Sequence, residues 1–158
     1  MKPNGILSWN LEEISSALKI STADVKQYFT DGRKVSFIIE RRLCSEIFNG
    51  QMAPTEGASY DLIDSYGKKW EVRSISDSGI YFCPSYMVGS GRKFDTPGFL
   101  SKISEIDGYI LSDITQFPNI PFWIINKDTV LNWWNNNELG INSKVSKSKI
   151  LSLLSTLK

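Results

Sequence analysis

Apolar residues recur at helical spacing through residues 10–30, NLEEISSALKISTADVKQYFT, at Leu11, Ile14 and Leu18 and again at Val25, Tyr28 and Phe29. Asn10 stands where an N-cap is needed, with Glu12 and Glu13 in the following turn. Ser21 precedes Asp24 by three residues, the start of a capping box. The pattern predicts two helices broken at Lys19-Ile20-Ser21 and ended by Asp31-Gly32. A third helix is predicted over residues 35–49, with Phe37, Cys44, Ile47 and Phe48 on its apolar stripe. Glu40 falls on that same stripe, and a carboxylate aimed at a core calls for a reason. After a loop over 50–58, strands are predicted at 59–64, 69–75 and 80–83. The turn Asp64-Ser65-Tyr66-Gly67-Lys68 joins the earlier two as a hairpin.

Residues 84–97, PSYMVGSGRKFDTP, are a Gly- and Ser-rich loop, and Pro97 starts a helix that runs to about Glu105. Buried strands are predicted at 108–114 and 121–125. A helix then opens at Asp128 or Thr129 and carries Trp133 and Trp134, which suit core or subunit packing better than base stacking. Residues 143–157 form a last amphipathic helix with Ile150, Leu153, Leu154 and Leu157 on one side. Helices and strands so mixed give an α/β (α+β) chain: an N-terminal helical segment, 1–32, and a main body, 33–158.

With 158 residues and 41% hydrophobic content the chain holds one ordinary packed domain. It has neither an apolar run long enough to span a bilayer nor a signal-like N-terminus, so a cytoplasmic, non-membrane protein is expected. Cys44 and Cys83 sit in apolar surroundings and are expected as buried thiols. Histidine is absent, which removes Ser-His-Asp and Cys-His catalysis, histidine-bound zinc and histidine phosphotransfer. Carboxylates, lysines, arginines and hard metal ions remain.

The net charge is only +1, but it is unevenly placed. Arg33, Lys34, Arg41 and Arg42 cluster against Glu40, and the tail from Lys127 to Lys158 is rich in lysine, a distribution that suits a polyanion with a defined footprint. The helical pair resembles a helix-turn-helix, with Ala17, Leu18, Ile20 and Val25 at its packing positions. On that reading Thr22, Ala23, Lys26 and Gln27 face outward toward base edges; on the other, the pair covers one end of the core. In the 84–97 loop, Ser85, Tyr86, Ser90, Arg92 and Lys93 are candidates for DNA contact, small residues letting backbone N–H groups near phosphates.

The most informative stretch is 56–74, EGASYDLIDSYGKKWEVRS. Asp61 lies in one arm of the hairpin and Glu71 in the next, close enough across the ladder to repel unless a divalent cation lies between them. Hard Mg²⁺ takes such oxygen ligands together with a phosphate. An Asp followed about ten residues later by Glu-x-Lys across a β-hairpin resembles the signature of the PD-(D/E)XK nuclease superfamily, and in particular the active-site hairpin of type II restriction endonucleases. The order helix, three-stranded meander, helix, strand is also similar to that superfamily's core over about residues 35–126.

The resemblance implies a restriction-endonuclease-like core, a central mixed β-sheet flanked by helices. It implies that Asp61 and Glu71 hold Mg²⁺, or Mn²⁺ in its place, that the Val72 carbonyl adds an oxygen, and that Glu40 matches an extra helix glutamate. Arg73 departs from the pattern by occupying the lysine's position. An arginine cannot act as a base, yet it can hold a phosphate oxygen. Three readings are open: Arg73 replaces lysine in a working enzyme, Lys68 or Lys69 supplies the amine, or the chain is catalytically crippled. The expected activity is Mg²⁺-dependent cleavage of double-stranded DNA by a homodimeric type II restriction enzyme with a cognate methyltransferase. The alternatives are a resolvase or nicking nuclease of the same superfamily and a non-catalytic DNA-binding protein.

Overall fold

The computed structural model describes all residues except 19, 31–34, 56 and 158, and only the backbone of Leu18. The expectations placed on Lys19, Asp31-Gly32, Arg33, Lys34, Lys158 and the Leu18 side chain, and the boundary between residues 32 and 33, lie outside the described residues. Strand β1 (Gly5–Ser8) leads into α1 (Leu11–Leu18) and α2 (Thr22–Thr30), each opened by a side chain. Asn10 Oδ1 accepts from the Glu13 N–H at 3.2 Å, and Ser21 Oγ accepts from Asp24 N–H at 3.0 Å, as the capping pattern predicts. Helix α3 (Val35–Arg42) then relaxes into a π-helical turn, Leu43–Ile47.

The short strands β2 (Gln51–Met52) and β3 (Leu62–Ile63) precede the long β4 (Lys69–Ile75) and the short β5 (Ile80–Tyr81). Helix α4 (Thr96–Ser104) leads to β6 (Gly108–Asp113) and β7 (Asn119–Asn126). Helix α5 (Lys127–Asn135), β8 (Lys144–Val145) and α6 (Lys147–Thr156) complete the order.

Six strands make one mixed sheet in the order β1-β7-β6-β4-β3-β2, with β4 parallel to β6 and the other neighbours antiparallel. A parallel pair needs a crossover, and α4 lies on it. Alternation along the strands supplies two cores. Trp70, Val72, Ile110, Ile120 and Phe122 face the layer of α1–α3, where Val25, Phe29, Val35, Ile39 and Leu43 cover them. Ile75, Tyr109, Leu111, Trp123 and Ile125 face the layer of α4–α6, meeting Phe99, Ile103, Val130, Trp133 and Ile150. The chain is therefore a mixed α/β fold with a helical layer on each face of the sheet.

Several expectations need correction. The three-stranded meander is not β3-β4-β5: β5 leaves the main sheet and pairs with β8, and β2, in a stretch expected to be loop, takes the place beside β3. Gly50 makes that pairing possible, because a Cβ there would lie 2.1 Å from the Ile63 carbonyl oxygen. On α3 the buried stripe is Val35, Ile39 and Leu43, whereas Phe37 is 57% exposed and Ile47 45% exposed. Ala17 is exposed and Ile20 is 42% exposed, so the packing expected of a helix-turn-helix is not formed at these positions. Val25, the remaining described packing position, is buried as expected, and with Phe29 it joins the core, Phe29 stacking on Phe117 with centroids 4.6 Å apart. The last helix begins at Lys147 rather than Ser143, capped by Ser146. Both cysteines are buried free thiols. No described helix is long and apolar enough to cross a membrane.

Candidate active site

Strand β3 pairs with β4 through Leu62↔Trp70 and Ile63↔Lys69, and the Asp61 N–H still donates to the Trp70 carbonyl at 2.9 Å; beyond that bond, at Asp61 and Glu71, the two strands part. The fork opens a cleft of about 370 Å³ lined by Asp61, Glu71, Arg73, Ser85, Tyr86 and Lys102. A second hollow shares Asp61, Arg73 and Ser85 with it and adds Glu40, Val72 and Ser74. Residues from three places thus converge: Asp61, Glu71 and Arg73 from the sheet, Glu40 from α3 and Lys102 from α4.

Backbone alternation decides what each β4 residue can reach. The Val72 N–H donates to Asp61 Oδ2 at 2.7 Å, which fixes that carboxylate across the fork. In an extended strand a residue's N–H and C=O point to the same side, so the Val72 carbonyl also faces the Asp61 side. The Glu71 and Arg73 side chains project from the face opposite those of Trp70 and Val72, toward the α4–α6 layer, and Glu71 is only 3% exposed. The sequence correctly sets both charges on one face of β4, but that face is covered rather than open to water.

A buried carboxylate needs partners. Arg73 Nη2 lies 2.7 Å from Glu71 Oε1 and also donates to the Cys83 carbonyl oxygen at 3.1 Å. Lys102 Nζ lies 2.8 Å from Glu71 Oε2. This is an ion pair without hydrogen-bond direction, and Glu71 Oε2 and Arg73 Nε are buried with no hydrogen-bond partner among the described residues. Lys102 is the residue the sequence did not disclose. Its place in the last turn of α4, between buried Phe99 and Ile103, resembles any surface lysine on an amphipathic helix.

The acids perturb one another. Loss of hydration lifts the Asp61 carboxyl from an ordinary 3.8 to about 6, with repulsion from Glu71 adding to it and the Val72 N–H partly opposing it. Glu40 rises from 4.5 to about 7, again through burial and then through repulsion from Asp61, with Arg41 partly offsetting both. Burial works against the Arg73 charge, but Glu71 and Asp61 outweigh it and raise the guanidinium further.

The carboxylates of Asp61, Glu71 and Glu40 gather against Arg73 and Lys102, with Arg41 beside Glu40 and Glu105 on the cleft wall, a balance of charge that leaves room for a divalent cation. Among the described residues no three acidic or thiol side chains form a ready ligand cluster. Mg²⁺ commonly uses one or two carboxylates with water and phosphate completing its shell. Asp61 and Glu71, with the spare Oε2 lone pairs and the Val72 carbonyl direction, fit such an ion.

The remaining predicted positions divide. Ser85 and Tyr86 line the cleft. Ser90, Arg92 and Lys93 are exposed in the adjoining loop, and Arg92 turns inward, donating from Nη1 to the carbonyls of Ser85 at 2.7 Å and Val88 at 3.1 Å. Lys26 and Gln27 are exposed on α2 and Thr22 is half-buried, and none of the three lines the cleft. Lys69 sits over the Tyr60 ring, and among the described residues neither it nor Lys68 pairs with Glu71; the lysine at that carboxylate is Lys102 from α4.

Compared with known proteins, the chain matches no family model and no curated protein.

Proposed function

We propose that this chain is a divalent-metal-dependent endodeoxyribonuclease with a restriction-endonuclease-like core of the PD-(D/E)XK superfamily. The observation that carries the reading is the convergence of Asp61, Glu71, Arg73 and Lys102 in one cleft at the β3–β4 fork. Such a set suits a phosphodiester better than an acyl or glycosyl substrate, because it pairs oxygen ligands for a hard cation with two fixed cations for an anion.

Asp61 and Glu71 would hold Mg²⁺ or Mn²⁺, with the Val72 carbonyl as a third oxygen. The ion supplies Lewis-acid stabilisation of the phosphoryl oxygens and eases deprotonation of water. Arg73 cannot take a proton, so its part is to hold a non-bridging phosphate oxygen and stabilise charge as the P–O bond breaks. Glu40, poised near neutrality, is the carboxylate best suited to accept the proton of the attacking water. Ser85 and Tyr86 at the mouth of the cleft suit contacts to the phosphate backbone.

Among nucleases of this kind we favour a cytoplasmic type II restriction enzyme. One site per chain and a palindromic duplex target together call for a homodimer, and protection of host DNA calls for a cognate methyltransferase. Supercoiled plasmid incubated with Mg²⁺ tests the reading. A discrete ladder supports restriction and nicked circles support a nicking or resolving nuclease, whereas intact plasmid held in a tight complex supports a binding protein. Asp61→Asn and Glu71→Gln should each slow cleavage by roughly a hundredfold or more without loss of fold. Normal rates in either variant would refute the assignment.

A further inference from the structure

Glu71 is held by two cations that differ in their freedom to move. Arg73 is pinned by its bond to the Cys83 carbonyl, and its guanidinium is a rigid plane. Lys102 reaches Glu71 Oε2 with a flexible four-carbon stem, touches it as an ion pair only, and stands on the wall of the cleft. Its anchor does not move with it: α4 is set by the Asp95 cap and by buried Phe99 and Ile103. Glu105, one turn further along, lines the same cleft and offers Lys102 a second anion on the solvent side.

We propose that Lys102 is the resident counter-ion of the acid pair, occupying the Glu71 oxygen that a divalent cation takes, and that it retracts when that ion binds and becomes the amine that meets the substrate phosphate. The proposal rests on Asp61 and Glu71 being metal ligands. It explains how a buried, partly unsatisfied carboxylate is tolerated in the fold. It also explains how a chain with arginine at position 73 retains an amine at the phosphate.

The test is Mn²⁺ binding to the intact chain without DNA, followed by calorimetry. Lys102→Met and Lys102→Gln keep the stem but remove the competing charge, and each should bind Mn²⁺ roughly five- to tenfold more tightly than the unmodified chain. Both should also melt at a lower temperature than that chain when metal-free, with the difference closing on addition of Mn²⁺. A measurement free of any substitution uses amine acetylation read by mass spectrometry. Modification of Lys102 should rise severalfold with saturating Mn²⁺, while Lys144 stays constant as the exposed reference. Unchanged or weaker Mn²⁺ binding in both variants, or unchanged acetylation, overturns the proposal. The reading beneath it fails separately, if Glu71→Gln and Asp61→Asn bind Mn²⁺ as well as the unmodified chain or if that chain binds none.

Discussion

Glu71 and Arg73 are the pair whose removal should separate folding from chemistry. Arg73 satisfies Glu71 Oε1 and the Cys83 carbonyl together, at 2.7 Å and 3.1 Å. Arg73→Ala leaves Glu71 with Lys102 as its counter-ion and takes this donor from the Cys83 carbonyl, and should cost about 3 kcal/mol, toward the low end for a broken buried pair because Lys102 remains and the guanidinium is 20% exposed. Arg73→Lys keeps the charge but loses the planar fork. It should recover most of that stability in a urea titration and retain cleavage within roughly tenfold, whereas Arg73→Ala should lose roughly a hundredfold or more. A fully active Arg73→Ala would show that the guanidinium only supports the fold.

At the scale of elements, α4 matters because it delivers Lys102. Asp95 caps it by accepting from the Gly98 N–H at 2.9 Å, and Gly98 lets its opening turn approach the Ser85–Met87 turn: a Cβ there would lie 2.8 Å from Met87 Cε and 2.9 Å from Tyr86 Oη. Asp95→Ala should cost about 1 kcal/mol of stability, the usual worth of an N-cap. If α4 positions Lys102, the same change should lower kcat severalfold in steady-state cleavage assays, and an unaltered kcat would argue that the helix is fixed by Phe99 and Ile103 alone.

The same elements show what periodicity can and cannot disclose. The hairpin, the α4 start and the β6 and β7 strands were legible because each is long or carries a Gly, Pro or cap signal. Strands β2 and β8, of two residues each, are too short for alternation to register, whereas β3 and β5 lie inside the runs expected at 59–64 and 80–83 but keep only two paired residues each. In α3, Val35, Phe37, Ile38, Ile39 and Leu43 crowd more than one face with apolar residues, and only packing selects Val35, Ile39 and Leu43. For the site, Asp61, Glu71 and Arg73 are local to one hairpin, and the shared face of Glu71 and Arg73 follows from strand parity. Lys102 arrives through a crossover, a tertiary event with no trace in local spacing.

For the molecule as a whole, the acid cluster sets the pH dependence of stability. Asp61 and Glu40 hold their protons to about 6 and about 7 in the folded chain, against ordinary values of 3.8 and 4.5. Between those limits the folded state binds protons that the unfolded chain has released, so stability falls as pH rises from about 4 to about 7. Metal-free protein should therefore melt at progressively lower temperature across that range in the presence of chelator. Asp61→Asn should flatten the slope, since it removes one titrating group and relieves Glu40 of its repulsion. A melting temperature that climbs over the same interval would contradict the placement of these carboxyls.

Because Glu40 rides on the helices behind one face of the sheet and Lys102 on those behind the other, the groups proposed for the reaction are held as between the jaws of a vice whose fixed bar is β4. Their alignment then reports how the two packed slabs are seated on that bar. On the proposed function, a packing change buried deep in either slab, far from the cleft, should reach the chemistry as a change of gap.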